Sequence, residues 1–119
     1  MGLTYVKVII AHPTDWEKQK EMELLVDTGA VLSVIPCETL EKLGITPVGK
    51  QRFKIFGGGS VERSVGGILI RYNTTSAIVP TAFGEKGDTS ILGTTALEAL
   101  GYEVDPVTKQ LKAVELLLL

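Results

Sequence analysis

The sequence predicts an all-β domain, and three observations carry that prediction. Short runs rich in Val, Ile and Thr recur along the chain, Gly, Pro and Asn separate them at close intervals, and only two segments show helical spacing of leucines. The expected strands are residues 4–11, 18–26, 31–34, 52–56, 60–71, 76–82, 102–105 and 110–114. The first is the plainest, because Thr4-Tyr5-Val6-Lys7-Val8-Ile9-Ile10 alternates apolar and polar side chains at the period of a pleated strand.

Residues 37–44 and 94–101 break this rhythm. In each, leucines three apart build a one-sided apolar face, Pro36 or Thr94 opens the turn, and Gly44 or Gly101 ends it. The two segments stand in corresponding places in the two halves of the chain, which suggests an internal duplication. No low-complexity linker interrupts the order, Pro106 to Thr108 supplies a tight turn between the last two strands, and one domain over residues 1–119 is expected.

Composition narrows the function classes. Formal charge is -2 with dispersed lysines and arginines, so nothing attracts nucleic acid. The lone Cys37 forms no internal disulfide, and the start of the chain lacks a basic leader, so a cytoplasmic location is expected. The apolar tail Leu116 to Leu119 is far shorter than the ~20 residues that cross a bilayer, and no membrane association is expected; the tail reads as a frayed end or an unfinished strand. Neither a metal nor a cofactor is expected: ligand clusters are absent, and His12 and Cys37 have no partner in a recognisable motif. Gly57-Gly58-Gly59-Ser60 lacks the Lys of a phosphate-binding loop.

The sharpest feature is Leu24-Leu25-Val26-Asp27-Thr28-Gly29-Ala30, an apolar run ending in Asp-Thr-Gly. Taken alone it is also a plain β-turn, and the tripeptide arises by chance in roughly one or two chains per hundred of this length. The features that follow it raise its weight. Phe53-Lys54-Ile55-Phe56-Gly57-Gly58-Gly59-Ser60-Val61-Glu62 reads as a glycine-tipped hairpin, and Ser90-Ile91-Leu92-Gly93 runs into the second helical segment.

In order and spacing these three segments resemble the retropepsin family of aspartic proteases over nearly the whole chain. The resemblance implies a closed, six-stranded-type acid-protease barrel with a flap hairpin and one or two short helices. It implies catalysis by Asp27 with Thr28 and Gly29, Thr28 bonding across a dimer interface and Gly29 admitting substrate to its main chain. Substrate binding is expected at Ala30, at the flap residues Phe56, Gly57, Gly58 and Gly59, and at Ile91 and Leu92. The glycines are equally a flexible hairpin turn, and the apolar residues equally plain core.

Peptide hydrolysis without metal or covalent nucleophile needs two carboxyl groups, one to activate water and one to protonate the carbonyl oxygen. Asp15, Asp88 and Asp105 lack the apolar-Asp-Thr-Gly context, so only Asp27 qualifies. A homodimer with a two-fold axis between two copies of Asp27 supplies the pair, and peptide or protein is the expected substrate. A catalytically inactive dimerisation or peptide-binding module on the same fold is the competing reading. The chain departs from the viral pattern at Val31-Leu32, where acidic residues are usual, and at Thr94, where an Arg is usual. These departures suggest a cellular, prokaryotic member.

Overall fold

The computed structural model describes residues 3–118. Strand β1 (Tyr5–His12) follows its alternation: Val6, Val8 and Ile10 point into the core while Tyr5 and Lys7 face out. It pairs antiparallel with β2 (Asp15–Val26), in register from Tyr5↔Leu25 to Ile10↔Lys20, with a bulge at Ala11/His12. β2 begins before the expected residue 18, although its first seven residues are exposed. The ladder to β1 makes them a strand, since backbone pairing satisfies their N–H and C=O groups whatever the side chains do.

After the Asp27 loop come β3 (Ser33–Pro36) and helix α1 (Cys37–Lys42), then β4 (Gly49–Lys54), β5 (Ser60–Tyr72) and β6 (Thr75–Gly84). β7 (Ile91–Leu92) and helix α2 (Thr94–Leu100) precede a small hairpin of β8 (Tyr102–Val104) and β9 (Leu111–Ala113). The large sheet runs β1-β2-β7-β3-β6-β5-β4, and a second pairing of β5 with β1 through Ile10↔Ile70 closes six of its strands into a ring. Closure removes the open edges that an all-β domain otherwise exposes. β4 stays outside the ring, so β4 and the first part of β5 project as a hairpin.

The ring encloses Ile10, Leu24, Ile35, Ile68, Ile70, Val79 and Leu92, and it is capped by Leu40 of α1 with Leu43 just past that helix, and by Ala96, Leu97 and Leu100 of α2. Each buried aliphatic side chain of this size contributes about 1.5–3 kcal/mol. Gly101 sits at the end of α2 with φ 77°, and its N–H donates to the Glu98 carbonyl at 3.0 Å. Helix α1 is shorter than the expected 37–44, because its last two residues form a turn that ends at Gly44, φ 75°.

Two expected strands are displaced. Residues 31–32 are a bend, and the strand starts only at Ser33: the carbonyls of Ala30 and Val31 are taken by the N–H groups of Thr94 (2.8 Å) and Thr95 (3.0 Å). Ile55 and Phe56 belong to the hairpin turn, and β4 instead reaches back to Gly49. The β8–β9 hairpin is tied to the barrel by an edge-to-face contact of Tyr72 with Tyr102 and by the Thr4 hydroxyl donating to the Lys109 carbonyl at 2.7 Å. Residues 114–118 have no regular structure, and Leu119 lies outside the described residues. Among the described residues no helix is long and apolar enough to cross a membrane.

Candidate active site

Asp27 stands one residue beyond β2, at the point where that strand meets β7. Two residues of β7 lie parallel to β2 (Leu25↔Ile91, Val26↔Leu92) and antiparallel to β3 (Val34↔Ile91). The backbone around the aspartate is therefore held on several sides: the Leu25 N–H donates to the Ser90 carbonyl at 3.2 Å and the Asp27 N–H to the Leu92 carbonyl at 3.0 Å. Within the loop, the Gly29 N–H donates to Asp27 Oδ1 at 2.9 Å and the Ala30 N–H to the Asp27 carbonyl at 3.2 Å. The carboxylate is thus oriented by its own turn and half-exposed, with Thr28 and Gly29 open to solvent beside it.

Gly93 locks this arrangement from below. A Cβ there would lie 2.6 Å from the Leu32 carbonyl carbon and oxygen, so only glycine lets β7 pass so close to the segment after the aspartate. Its N–H donates to the buried Ser33 Oγ at 3.0 Å, and the Thr81 hydroxyl donates to the Ser33 carbonyl at 3.1 Å. Ser33 is a site-supporting residue that pattern reading misses, because its neighbours Leu32 and Val34 make it look like any polar position of a strand.

Above the loop lies a cleft of about 1100 Å³. Asp27, Gly29 and Ala30 form its floor, Phe53, Ile55 and Phe56 of the hairpin overhang it, and Ile91 and Thr89 line its side. The hairpin turn uses its glycines for geometry: Gly57, Gly58 and Gly59 all have positive φ (94°, 109° and 83°), which L side chains rarely adopt. The Ile55 N–H donates to the Gly59 carbonyl and the Gly58 N–H to the Ile55 carbonyl, both at 3.2 Å. Phe56 at the tip is fully exposed.

Of the residues expected to bind substrate, the structure brings Ala30, Phe56 and Ile91 to the cleft with Asp27 and Gly29. Gly57, Gly58 and Gly59 shape the tip above it without lining it. Leu92 corrects the expectation: it is 0 % exposed and packs inside the barrel, because successive residues of a strand point to opposite faces and Ile91 takes the cleft side.

The cleft also holds a charged pair that went unrecognised in the sequence. Arg63 on β5 makes a two-pronged bond to Asp88, Nε to Oδ2 at 2.8 Å and Nη2 to Oδ1 at 3.1 Å. The Arg63 hydrogen bond holds the Asp88 carboxyl below its ordinary range, partial burial opposes this, and the Glu85 N–H adds to it. The two residues are far apart in sequence and sit in no motif, so no local signal marks them. Among the described residues no group of His, Cys, Asp and Glu could hold a metal ion.

A six-stranded ring, an Asp-Thr-Gly loop at its mouth and a glycine-tipped hairpin over that loop define the architecture, and the chain carries one such Asp-Thr-Gly loop. Comparison with solved structures bears out the fold. The chain superposes on EIAV protease complexed with the inhibitor HBY-793 with TM-score 0.64 and 20% identity, covering 98% of this chain and 94% of that one. It superposes on a retropepsin-like aspartic protease from Rickettsia conorii with TM-score 0.51 and 19% identity, covering 88% and 89%. This chain has the retropepsin fold. No protein-family model matches the sequence, and no curated protein matches it.

Proposed function

We propose that the chain is an aspartic endopeptidase that works as a homodimer, with Asp27 of each subunit supplying half of the catalytic pair. The observation that carries this reading is the Asp27 carboxylate, oriented by the Gly29 N–H at 2.9 Å on the floor of a cleft overhung by the glycine hairpin. Aspartic proteases among the fold neighbours support the hydrolase class. An isologous interface on an axis beside Asp27 brings the two carboxyl groups together, and the exposed Thr28, Gly29 and Val31 leave that face free to meet a second copy.

Two carboxylates ~3 Å apart repel by roughly 5 kcal/mol at an effective dielectric of about 20, so the pair keeps one shared proton, as aspartic proteases in general do. The ionised member takes a proton from a bound water as its oxygen attacks the peptide carbonyl carbon. The protonated member gives its proton to the carbonyl oxygen, leaving a tetrahedral diol. The carboxyl that took the water's proton then gives it to the amide nitrogen while the other carboxylate takes one from a diol hydroxyl, and the C–N bond breaks to release acid and amine. Thr28 braces the two loops against each other, and Gly29 exposes its main chain to the extended substrate. The hairpin, with Phe56 and the three glycines, closes over the peptide and excludes water. Residues 1–119 act as one domain, and the single free Cys37 suits the cytoplasm.

A peptide-library cleavage assay on the wild type and Asp27→Asn, with a pepstatin-like inhibitor as second readout, tests the proposal. The variant retains an oxygen to accept the Gly29 N–H, so it is expected to fold and to lose cleavage. Equal cleavage by both proteins removes Asp27 from the mechanism. Sedimentation at falling concentration tests the dimer, and activity persisting in a demonstrable monomer refutes the shared site.

A further inference from the structure

The β4–β5 hairpin leaves the barrel where β5 stops pairing with β6, at Val65↔Ala82; residues 60–64 of β5 pair with β4 alone. Lys50 with Glu62 and Arg52 with Ser60 are contacts inside the hairpin. Among the described residues, the side-chain hydrogen bonds and ion pairs that join residues 49–64 to the rest of the chain all come from Arg63. Arg63 lies on the cleft side of the hairpin, in register with Gln51 and two residues from Val61, both of which also line the cleft.

At the other end, Asp88 organises its own loop. Its Oδ2 accepts the Glu85 N–H at 2.8 Å, and its N–H donates to the Glu85 carbonyl at 2.9 Å, closing a turn that contains Gly87 at φ 93°. Two residues on, Ser90 accepts the Leu25 N–H, and Leu92 accepts the N–H of Asp27. One carboxylate therefore ties the base of the hairpin to the segment that seats the aspartate. Glu85 stands 4.0 Å from Arg63 as a looser third member.

Resting on the peptidase reading, we propose that the Arg63–Asp88 pair is a positioning clasp, which sets the height of the hairpin over the cleft and holds the 85–89 wall in place for substrate. The fork of a guanidinium on both carboxylate oxygens fixes direction as well as distance, which a lysine cannot do. The clasp touches no reacting atom. Its loss lets the hairpin base and the wall separate, so peptide binds more weakly while the chemistry at Asp27 proceeds once it is bound.

The test compares wild type with Arg63→Lys, Asp88→Asn and the double variant. Each single change is expected to raise KM about tenfold with kcat within about threefold, and the double variant to be no worse than the poorer single one, because both remove one interaction. Amide hydrogen exchange on the unliganded protein gives a readout independent of hydrolysis. Asp88→Asn should speed exchange in residues 60–64 and Arg63→Lys in residues 85–88, with ring amides such as those of Val6, Leu24 and Ile68 unchanged. Unaltered hairpin exchange, or equal acceleration throughout the ring, overturns the clasp. So do multiplying effects of the two changes on KM. Absence of hydrolysis by the wild type overturns the peptidase reading instead, and the exchange arm still decides whether the clasp holds the hairpin.

Discussion

Replacing Gly93 by Ala should damage the chain far more than a single added methyl suggests. The backbone at Gly93 has φ -89° and ψ 176°, conformations open to alanine, so any cost comes from space alone. The new Cβ would stand 2.6 Å from the Leu32 carbonyl carbon and oxygen and 2.9 Å from the Val31 oxygen, well inside the 3.4 Å at which ordinary contact begins. These are main-chain atoms and cannot swing aside. To make room, residues 31–32 must move off β7, straining the bonds by which the Ala30 and Val31 carbonyls accept the Thr94 and Thr95 N–H groups.

Overpacking of this kind costs about 1–3 kcal/mol, and each weakened hydrogen bond adds up to about 1 kcal/mol, so a loss of about 3 kcal/mol is expected. For a chain of 119 residues that lowers Tm by about 12 °C. Urea denaturation followed by far-ultraviolet circular dichroism measures it. Gly67→Ala is the control, since a Cβ there meets no atom within 4 Å, and it should be neutral or slightly stabilising. A Gly93→Ala protein within about 0.5 kcal/mol of wild type, or indistinguishable from Gly67→Ala, would falsify the claim that close approach of β7 demands glycine.

Ser33→Ala strips the buried Gly93 N–H of its acceptor and should cost about 1–3 kcal/mol, read as a lower urea midpoint at unchanged slope; an unmoved midpoint contradicts the role given to the hydroxyl. Gly101→Ala forces a side chain into φ 77° at the end of α2, and a loss of about 1 kcal/mol is expected even though the nearest atom to the new Cβ, the Val114 oxygen, is a comfortable 3.6 Å away. The Asp88 carboxyl is held below its ordinary 3.8 by the Arg63 hydrogen bond. A carboxyl lowered in the folded state stabilises it above that ordinary value, and the contribution disappears as pH falls through the lowered one. The stability gap between wild type and Asp88→Asn should therefore be constant near neutrality and close in strong acid, and a gap that persists unchanged there rules out the ionic clasp. Asp105 is lowered too, by the Val107 and Thr108 N–H groups, so Asp105→Asn should narrow its deficit over the same acidic range.

Features written by neighbouring residues are legible without any structure. The alternation of residues 5–10 placed β1 and its core face, Gly101 marked the end of α2, and the apolar run into Asp27-Thr28-Gly29 marked the loop at the cleft floor. Each depends on φ preferences or on a short period of apolar side chains, which act over a few residues. The tertiary structure decided the rest. Two residues are too few to show a period, so β7 exists as a strand only because β2 and β3 flank it, and that placement sends Ile91 to the cleft and Leu92 to the core. β2 extends to Asp15 because β1 is beside it, the ring closes because β5 reaches β1, and Arg63 meets Asp88 across the cleft wall. These are long-range pairings, whose partners are selected by ladder register and packing, so an isolated segment carries no mark of them.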